Sequence, residues 1–248
     1  MVAGRLYLVP NLLGVSAPAD VLPQRTLDVA RGLAHFVVEN AKPARQFLKA
    51  LGTVLPLQSI GLVEIGESPG PQRCTELLAP ALAGHDLGVL SDAGCPGVAD
   101  PGAPLVAAAH AAGITVVPLV GPSSLLLALM GSGMNGQRFA FHGYLPVQVQ
   151  HRADALRRLE AESARDGQAQ AFIETPYRNE AMLGAVAAHC RPDTRLCVAV
   201  DLTTATESIE TLTVADWRRR DVARYAKRPA IFILQATQAT SAPRKTGR

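Results

Sequence analysis

Short β-prone runs alternate with helix-spaced segments through the first 118 residues, and this alternation restricts the fold more than any other feature of the chain. Strands are predicted over 5–9, 35–39, 60–64, 86–90 and 115–118, with helices over 26–33, 41–51, 74–83 and 104–112 between them. Gly113, directly after the last of these helices, reads as its stop. Four helical crossovers joining five strands make a complete α/β domain with a mostly parallel sheet, assigned here to 1–118.

After Val120 the run Gly121-Pro122-Ser123-Ser124 interrupts the pattern, and either serine is placed to cap an apolar helix over 125–131. A second α/β domain is expected over 119–237. Its strands fall at 139–144, 171–174, 196–201, 209–213 and 230–234, and its helices at 150–165 and 179–189. The polar, basic stretch 238–248 reads as a disordered tail. Along the helix over 150–165, Arg152, Arg157, Arg158 and Arg165 interleave with Asp154, Glu160, Glu162 and Asp166, the pattern of a solvated face laced by ion pairs.

Composition removes several function classes. Aromatics are 4% of the 248 residues, too few for a surface built to stack on single-stranded nucleic acid. The net charge of +3 includes Arg244, Lys245 and Arg248 of the acid-free tail, so the body is near neutral and charge alone predicts no nucleic-acid partner. Cys74, Cys95, Cys190 and Cys197 have neither CxxC spacing nor a histidine pairing, which predicts reduced thiols and no metal site. The N-terminus opens on a charged strand rather than a signal sequence, and the most apolar region, 114–130, is broken by Pro118, Gly121 and Pro122. A cytoplasmic protein with no membrane partner is expected.

The segment over 90–102, LSDAGCPGVADPG, follows a buried strand and precedes a helix, the place where open α/β sheets bind ligands. Three glycines and two prolines in these thirteen residues fix an irregular loop whose backbone can approach a ligand closely. Asp92 and Asp100 offer carboxylates to hydroxyls or to a cation, or they cap the following helix. Neither GxGxxG nor GKS/GKT occurs, so a ligand without phosphates fits better. S-adenosylmethionine, with its sulfonium, amino-acid head and ribose diol, is such a ligand.

The SDAGxPxxxDPG run, followed about twenty residues later by PLxGPSS, resembles the tetrapyrrole methylase family, and within it the branch of small-subunit ribosomal RNA (cytidine-2'-O)-methyltransferases. Further matches occur in order: Arg138-Phe139 through Gly143-Tyr144-Leu145-Pro146, the block over 172–178 (FIETPYR), and Asp201-Leu202-Thr203 with Thr206-Glu207-Ser208-Ile209. The resemblance implies a two-domain tetrapyrrole-methylase-like fold, a homodimer, and S-adenosylmethionine in a cleft between the domains, lined by the loop over 92–100, by Ser123 and Ser124, and by the segment over 174–177. The residues it assigns to the cofactor are Pro10, Ser91, Asp92, Ala93, Gly94, Val98, Asp100, Ser123, Ser124, Glu174, Thr175 and Ala230, the last on the adenine side. Ser123 and Ser124 retain the alternative of helix capping, and Glu174 that of an ion pair with Arg178.

Three segments depart from the RNA-modifying branch. Val9-Pro10-Asn11-Leu12-Leu13-Gly14 stands where that branch has a TPIGN-like turn. Glu39-Asn40-Ala41-Lys42, with Arg45 following, stands for a Glu-Asp-Thr-Arg run, and Glu64-Ile65-Gly66-Glu67 for a histidine-rich segment. Glu39 is the carboxylate retained at the acceptor side and the candidate general base, with pairing to Lys42 or Arg45 as its alternative. The methyl acceptor is left open between RNA and a small molecule. A non-catalytic relative that binds cofactor or partner is the rival, recognisable if Leu12, Leu13 or Ile65 fills the acceptor channel.

Overall fold

The computed structural model describes residues 2–238 and divides into two compact units, one ending at Ser123 and one beginning at Ser124. The expected basic tail lies, beyond Gln238, outside the described residues.

In the first unit, β1 (Arg5–Val9), β2 (His35–Val38), β3 (Gly61–Glu64), β4 (Leu87–Leu90) and β5 (Thr115–Pro118) form one sheet in the order β3-β2-β4-β1-β5. Every pairing is parallel. The connections carry α1 (Pro18–Val21), α2 (Gln24–Gly32), α3 (Ala41–Leu51), α4 (Pro71–Leu77), α5 (Ala79–Leu82) and α6 (Ala103–Ala111). Successive side chains point to opposite faces of a strand. Tyr7, Val9, Phe36, Val38 and Leu90 therefore enter a core closed by α2 and α3, while Leu6, Val37, Leu87 and Val89 enter a second core closed by α4, α5 and α6. With both faces covered, the central strands are apolar at nearly every position. Gly88 interrupts β4 because a Cβ there would lie 2.6 Å from the Phe36 ring on β2.

The single helix expected over 74–83 is two helices meeting at Leu78. Pro80 lacks the N–H that would bond Glu76, and its ring crowds that carbonyl. The four-residue α1 is too short to show periodicity in the sequence.

In the second unit, α7 (Ser124–Ser132) precedes β6 (Phe139–Tyr144), α8 (Val149–Asp166), β7 (Ala169–Glu174), α9 (Asn179–His189), β8 (Arg195–Val200), β9 (Ser208–Thr213), α10 (Val214–Trp217) and β10 (Ala230–Gln235). The sheet order is β6-β7-β10-β8-β9; β6 and β7 are parallel and the remaining pairs antiparallel. One face packs Phe172, Val198 and Phe232 against α8 and α9, with the stacked Phe172 and Phe232 rings 5.5 Å apart. α7 packs on this sheet as well, approaching β9 closely enough that a Cβ on Gly131 would meet Ile209 at 2.5 Å. The laced face of α8 is present in the Arg157–Asp154 and Arg158–Glu162 pairs. Two of its charges instead turn inward: Arg152 is buried, and buried Glu160 accepts from Arg191 N and Thr194 Oγ1. No helix among the described residues is long and apolar enough to cross a membrane.

Candidate functional site

Parallel strands place all their C-terminal ends at one edge of the first sheet, and the order β2-β4-β1 makes three of the exit loops neighbours there. The loop after β1 is fastened to the loop after β4 by two backbone hydrogen bonds: Asn11 N to Gly94 O at 2.9 Å, and Gly94 N to Asn11 O at 3.2 Å. The Asn11 side chain, 5% exposed, completes the join. Its Nδ2 donates to Ser91 O (2.9 Å) and Asp92 O (3.1 Å), and its Oδ1 accepts from Leu12 N (2.8 Å). Ser91 Oγ, buried beneath, donates to Ala93 O and Gly94 O. Asn11 is thus a residue whose role sequence reasoning missed; the only signal was its place in a departing segment.

Asp100 organises the far end of the same loop. Its carboxylate accepts from Gly97 N (2.8 and 2.9 Å) and from Gly102 N (2.7 Å), just before α6. Asp100 therefore braces the loop itself rather than capping α6, whose N-cap Gly102 has no side-chain cap bond. Gly94 and Gly97 lie at positive φ, as does Ala99 at 60°. Asp92, Ala93 and Val98 are exposed on the loop, and Pro10 and Gly94 are buried under it.

Glu39 follows β2 and reaches this loop: its Oε2 accepts from Asp92 N at 3.0 Å. No ion pair joins it to Lys42 or Arg45 among the described residues. Desolvation raises its pKa above the ordinary carboxylate value; the Asp92 N–H bond works against this, and the charges of Asp92 and Asp100 add to it. The pKa of Asp92 is also raised, first by desolvation, against the hydrogen bond from Asn40 and with the charge of Glu64. Glu64 is itself held by Ala41 N at 2.8 Å. This edge gathers carboxylates whose ionised forms are disfavoured, so a cation placed among them would be favoured and a phosphate opposed. A sulfonium meets that requirement.

Leu12 packs against the α2–α3 core and Ile65 lies in the α4–α6 core. Ile65 also forms a wall, with Glu39, Ser91 and Asp100, of a cavity of about 10 Å³, room for one water. Leu13 lies 3.2 Å from where a Gly94 Cβ would stand. A larger cavity of about 320 Å³, near Tyr7, His35 and His85, opens at the opposite edge and contains none of the predicted residues.

The second unit brings its own predicted residues together. Glu174, the last residue of β7, is the direct antiparallel partner of Ala230, the first of β10. Glu174 is buried; its Oε1 accepts from Thr175 N (2.8 Å), and its Oε2 lies 3.0 Å from Arg178 Nη2. The ion pair offered as its alternative use is thus present. Thr175 is exposed, and Ser124 begins α7 while Ser123 ends the first unit half-buried. Among the described residues no group of three or more His, Cys, Asp or Glu side chains is arranged to hold a metal ion.

No family model matches the sequence. The chain is 30% identical to ribosomal RNA small subunit methyltransferase I of Escherichia coli O157:H7, over 88% of this chain and 73% of that protein. Among solved structures it resembles the methyltransferase CobJ at a TM-score of 0.63 and 20% identity, covering 99% of this chain and 98% of the other. It also resembles uroporphyrin-III C-methyl transferase of Thermus thermophilus complexed with S-adenosyl homocysteine, at a TM-score of 0.58 and 19% identity over 94% and 97% of the two chains.

Proposed function

The chain belongs to the ribosomal RNA small subunit methyltransferase I family, and is by that membership an S-adenosylmethionine-dependent methyltransferase; we propose that it methylates a ribose 2'-hydroxyl of small-subunit ribosomal RNA. The observation that carries this reading is Glu39 set at the acid-rich C-terminal edge, one oxygen engaged by Asp92 N. The reading assigns the cofactor to the loop from Ser91 to Asp100 with Pro10, and to Ser123, Ser124, Glu174, Thr175 and Ala230.

When bound, the cofactor supplies an electrophilic methyl carbon on a positively charged sulfur. The carboxylates of Asp92 and Glu39 favour that charge, and the riveted Asn11–Gly94 junction holds the loop in one shape so that donor and acceptor meet in line. Glu39 takes the proton of the attacking hydroxyl at Oε1, the oxygen that Asp92 N does not occupy. A carboxylate whose proton affinity is raised is a better acceptor than an ordinary one. Resemblance to the family further supports a homodimer, and an RNA acceptor fits a cytoplasmic protein.

Calorimetric titration with S-adenosylmethionine, followed by methyl incorporation into small-subunit RNA, tests the reading. Binding that Asp92→Ala and the Ser123→Ala, Ser124→Ala double variant abolish, with label entering the RNA, is expected. Binding without transfer to RNA would leave a small-molecule acceptor or a non-catalytic binder in its place.

A further inference from the structure

The segment over 217–228, WRRRDVARYAKR, carries six cations against the single carboxylate of Asp221. Two of them are spent on the fold. Arg218 donates to the carbonyls of Ala187 and Cys190, and Arg228 donates to Asp201 Oδ2 and to Thr206 O. Arg219 is paired with Asp216 at 2.5 Å, and Arg220, Arg224 and Lys227 face solvent with charge to spare. Arg220 and Arg224 share one carboxylate, Glu210, at 3.3 and 2.5 Å, so that pairing leaves a net positive charge. Lys227 is exposed and has no ion pair among the described residues.

This segment is held against the turn after β7. Lys227 N donates to Pro176 O at 2.9 Å, and the fully buried Asn179 amide donates to Tyr225 O (2.8 Å) and Arg228 O (2.7 Å). The next residue of that turn, Tyr177, is 81% exposed. One exposed ring is ordinary by itself. Here it stands beside a cationic strip, two residues after Thr175, and the strip leads directly into Ala230.

We propose that Tyr177 and the cations Arg220, Arg224 and Lys227 form a docking face for single-stranded RNA on the second unit, the ring stacking on one unpaired base and the cations contacting flanking phosphates. The proposal rests on RNA being the acceptor. The low aromatic content that excludes a broad stacking platform is compatible with one anchoring ring, because a single base–aromatic stack already contributes substantially. A base in a duplex has no free face, so the face selects single strands.

The test is fluorescence anisotropy of the full chain with a labelled single-stranded RNA oligonucleotide of small-subunit sequence, across a salt series, with calorimetric cofactor binding in parallel. Tyr177→Ala is expected to weaken RNA binding by about fivefold to a hundredfold. Tyr177→Phe should retain it, while Lys227→Gln and Arg220→Gln should leave cofactor affinity unaltered. Lys227→Gln and Arg220→Gln should each lower the slope of log affinity against log salt by roughly 0.7. If the intact chain methylates RNA while all these variants bind it normally, the docking face is refuted and the acceptor reading stands. If the intact chain neither binds nor methylates RNA, the acceptor reading falls and the face with it. Equal affinity for a blunt duplex would refute the stacking role.

Discussion

The join between the β1 and β4 loops makes Asn11 the residue on which the candidate site should depend most. Truncation by Asn11→Ala leaves Ser91 O, a buried acceptor, without its donor, at about 1–3 kcal/mol. It also deletes the bonds to Asp92 O and Leu12 N, which are half-buried and regain water in part, at about 0.5 kcal/mol each. The expected loss is about 2–4 kcal/mol of unfolding free energy. The isosteric Asn11→Asp should be worse at neutral pH, because it turns a carboxylate oxygen toward two carbonyls and leaves the charge uncompensated, at about 3–5 kcal/mol. Its pH dependence is diagnostic. The introduced carboxyl has a raised pKa in the fold, since only its protonated form donates to Ser91 O. The stability it recovers is therefore present below the unfolded carboxylate value of about 3.9 and lost as pH rises through the folded value. Urea unfolding read by circular dichroism measures this, with fluorescence of Trp217, the sole tryptophan, reporting the second unit separately. An Asn11→Asp protein as stable as the intact chain at pH 7 would refute the reasoning.

Glu39→Gln keeps an acceptor for Asp92 N but cannot take a proton, so kcat in a methyl-transfer assay should fall by about 10²–10⁴. In the intact enzyme kcat should rise as pH passes upward through the raised Glu39 pKa, and that limb should vanish in the variant. Gly121→Ala would put a Cβ 2.2 Å from Pro10 Cγ and 3.1 Å from Leu22 Cδ2, so thermal unfolding should show about 1–3 kcal/mol of destabilisation from overpacking under the β1 loop. Burial pushes the Cys190 thiol up to about 12, helped by the charge of Glu160, and also raises Cys74, Cys95 and Cys197. Thiol titration of native protein at pH 8 should therefore label at most half-buried Cys95, and all four cysteines only after denaturation.

Local sequence was sufficient for the elements and their kind. The strand over 5–9, the helix over 41–51, the strand over 139–144 and the helix over 179–189 appear with the boundaries that periodicity predicts. These follow from local physics: alternation of apolar residues, the Asn40 cap, and glycines such as Gly52 and Gly113 at positive φ after their helices. The irregular loop over 90–102 was legible for the same reason, since its glycines, prolines and aspartates act over a few residues, as Asp100 does on Gly97 and Gly102.

Tertiary structure alone decided which loops meet. Strand order is set by how helices cover two faces of a sheet, a long-range competition that no local window records. It brings Asn11 to Ser91 across 80 residues and Glu39 to Asp92 across 53. The same holds in the second unit, where antiparallel pairing makes Ala230 the partner of Glu174, and where buried Asn179 ties the basic segment to the Tyr177 turn. Whether a polar residue such as Asn11 or Asn179 is surface or rivet depends on the carbonyls that folding carries to it, and those come from distant parts of the chain.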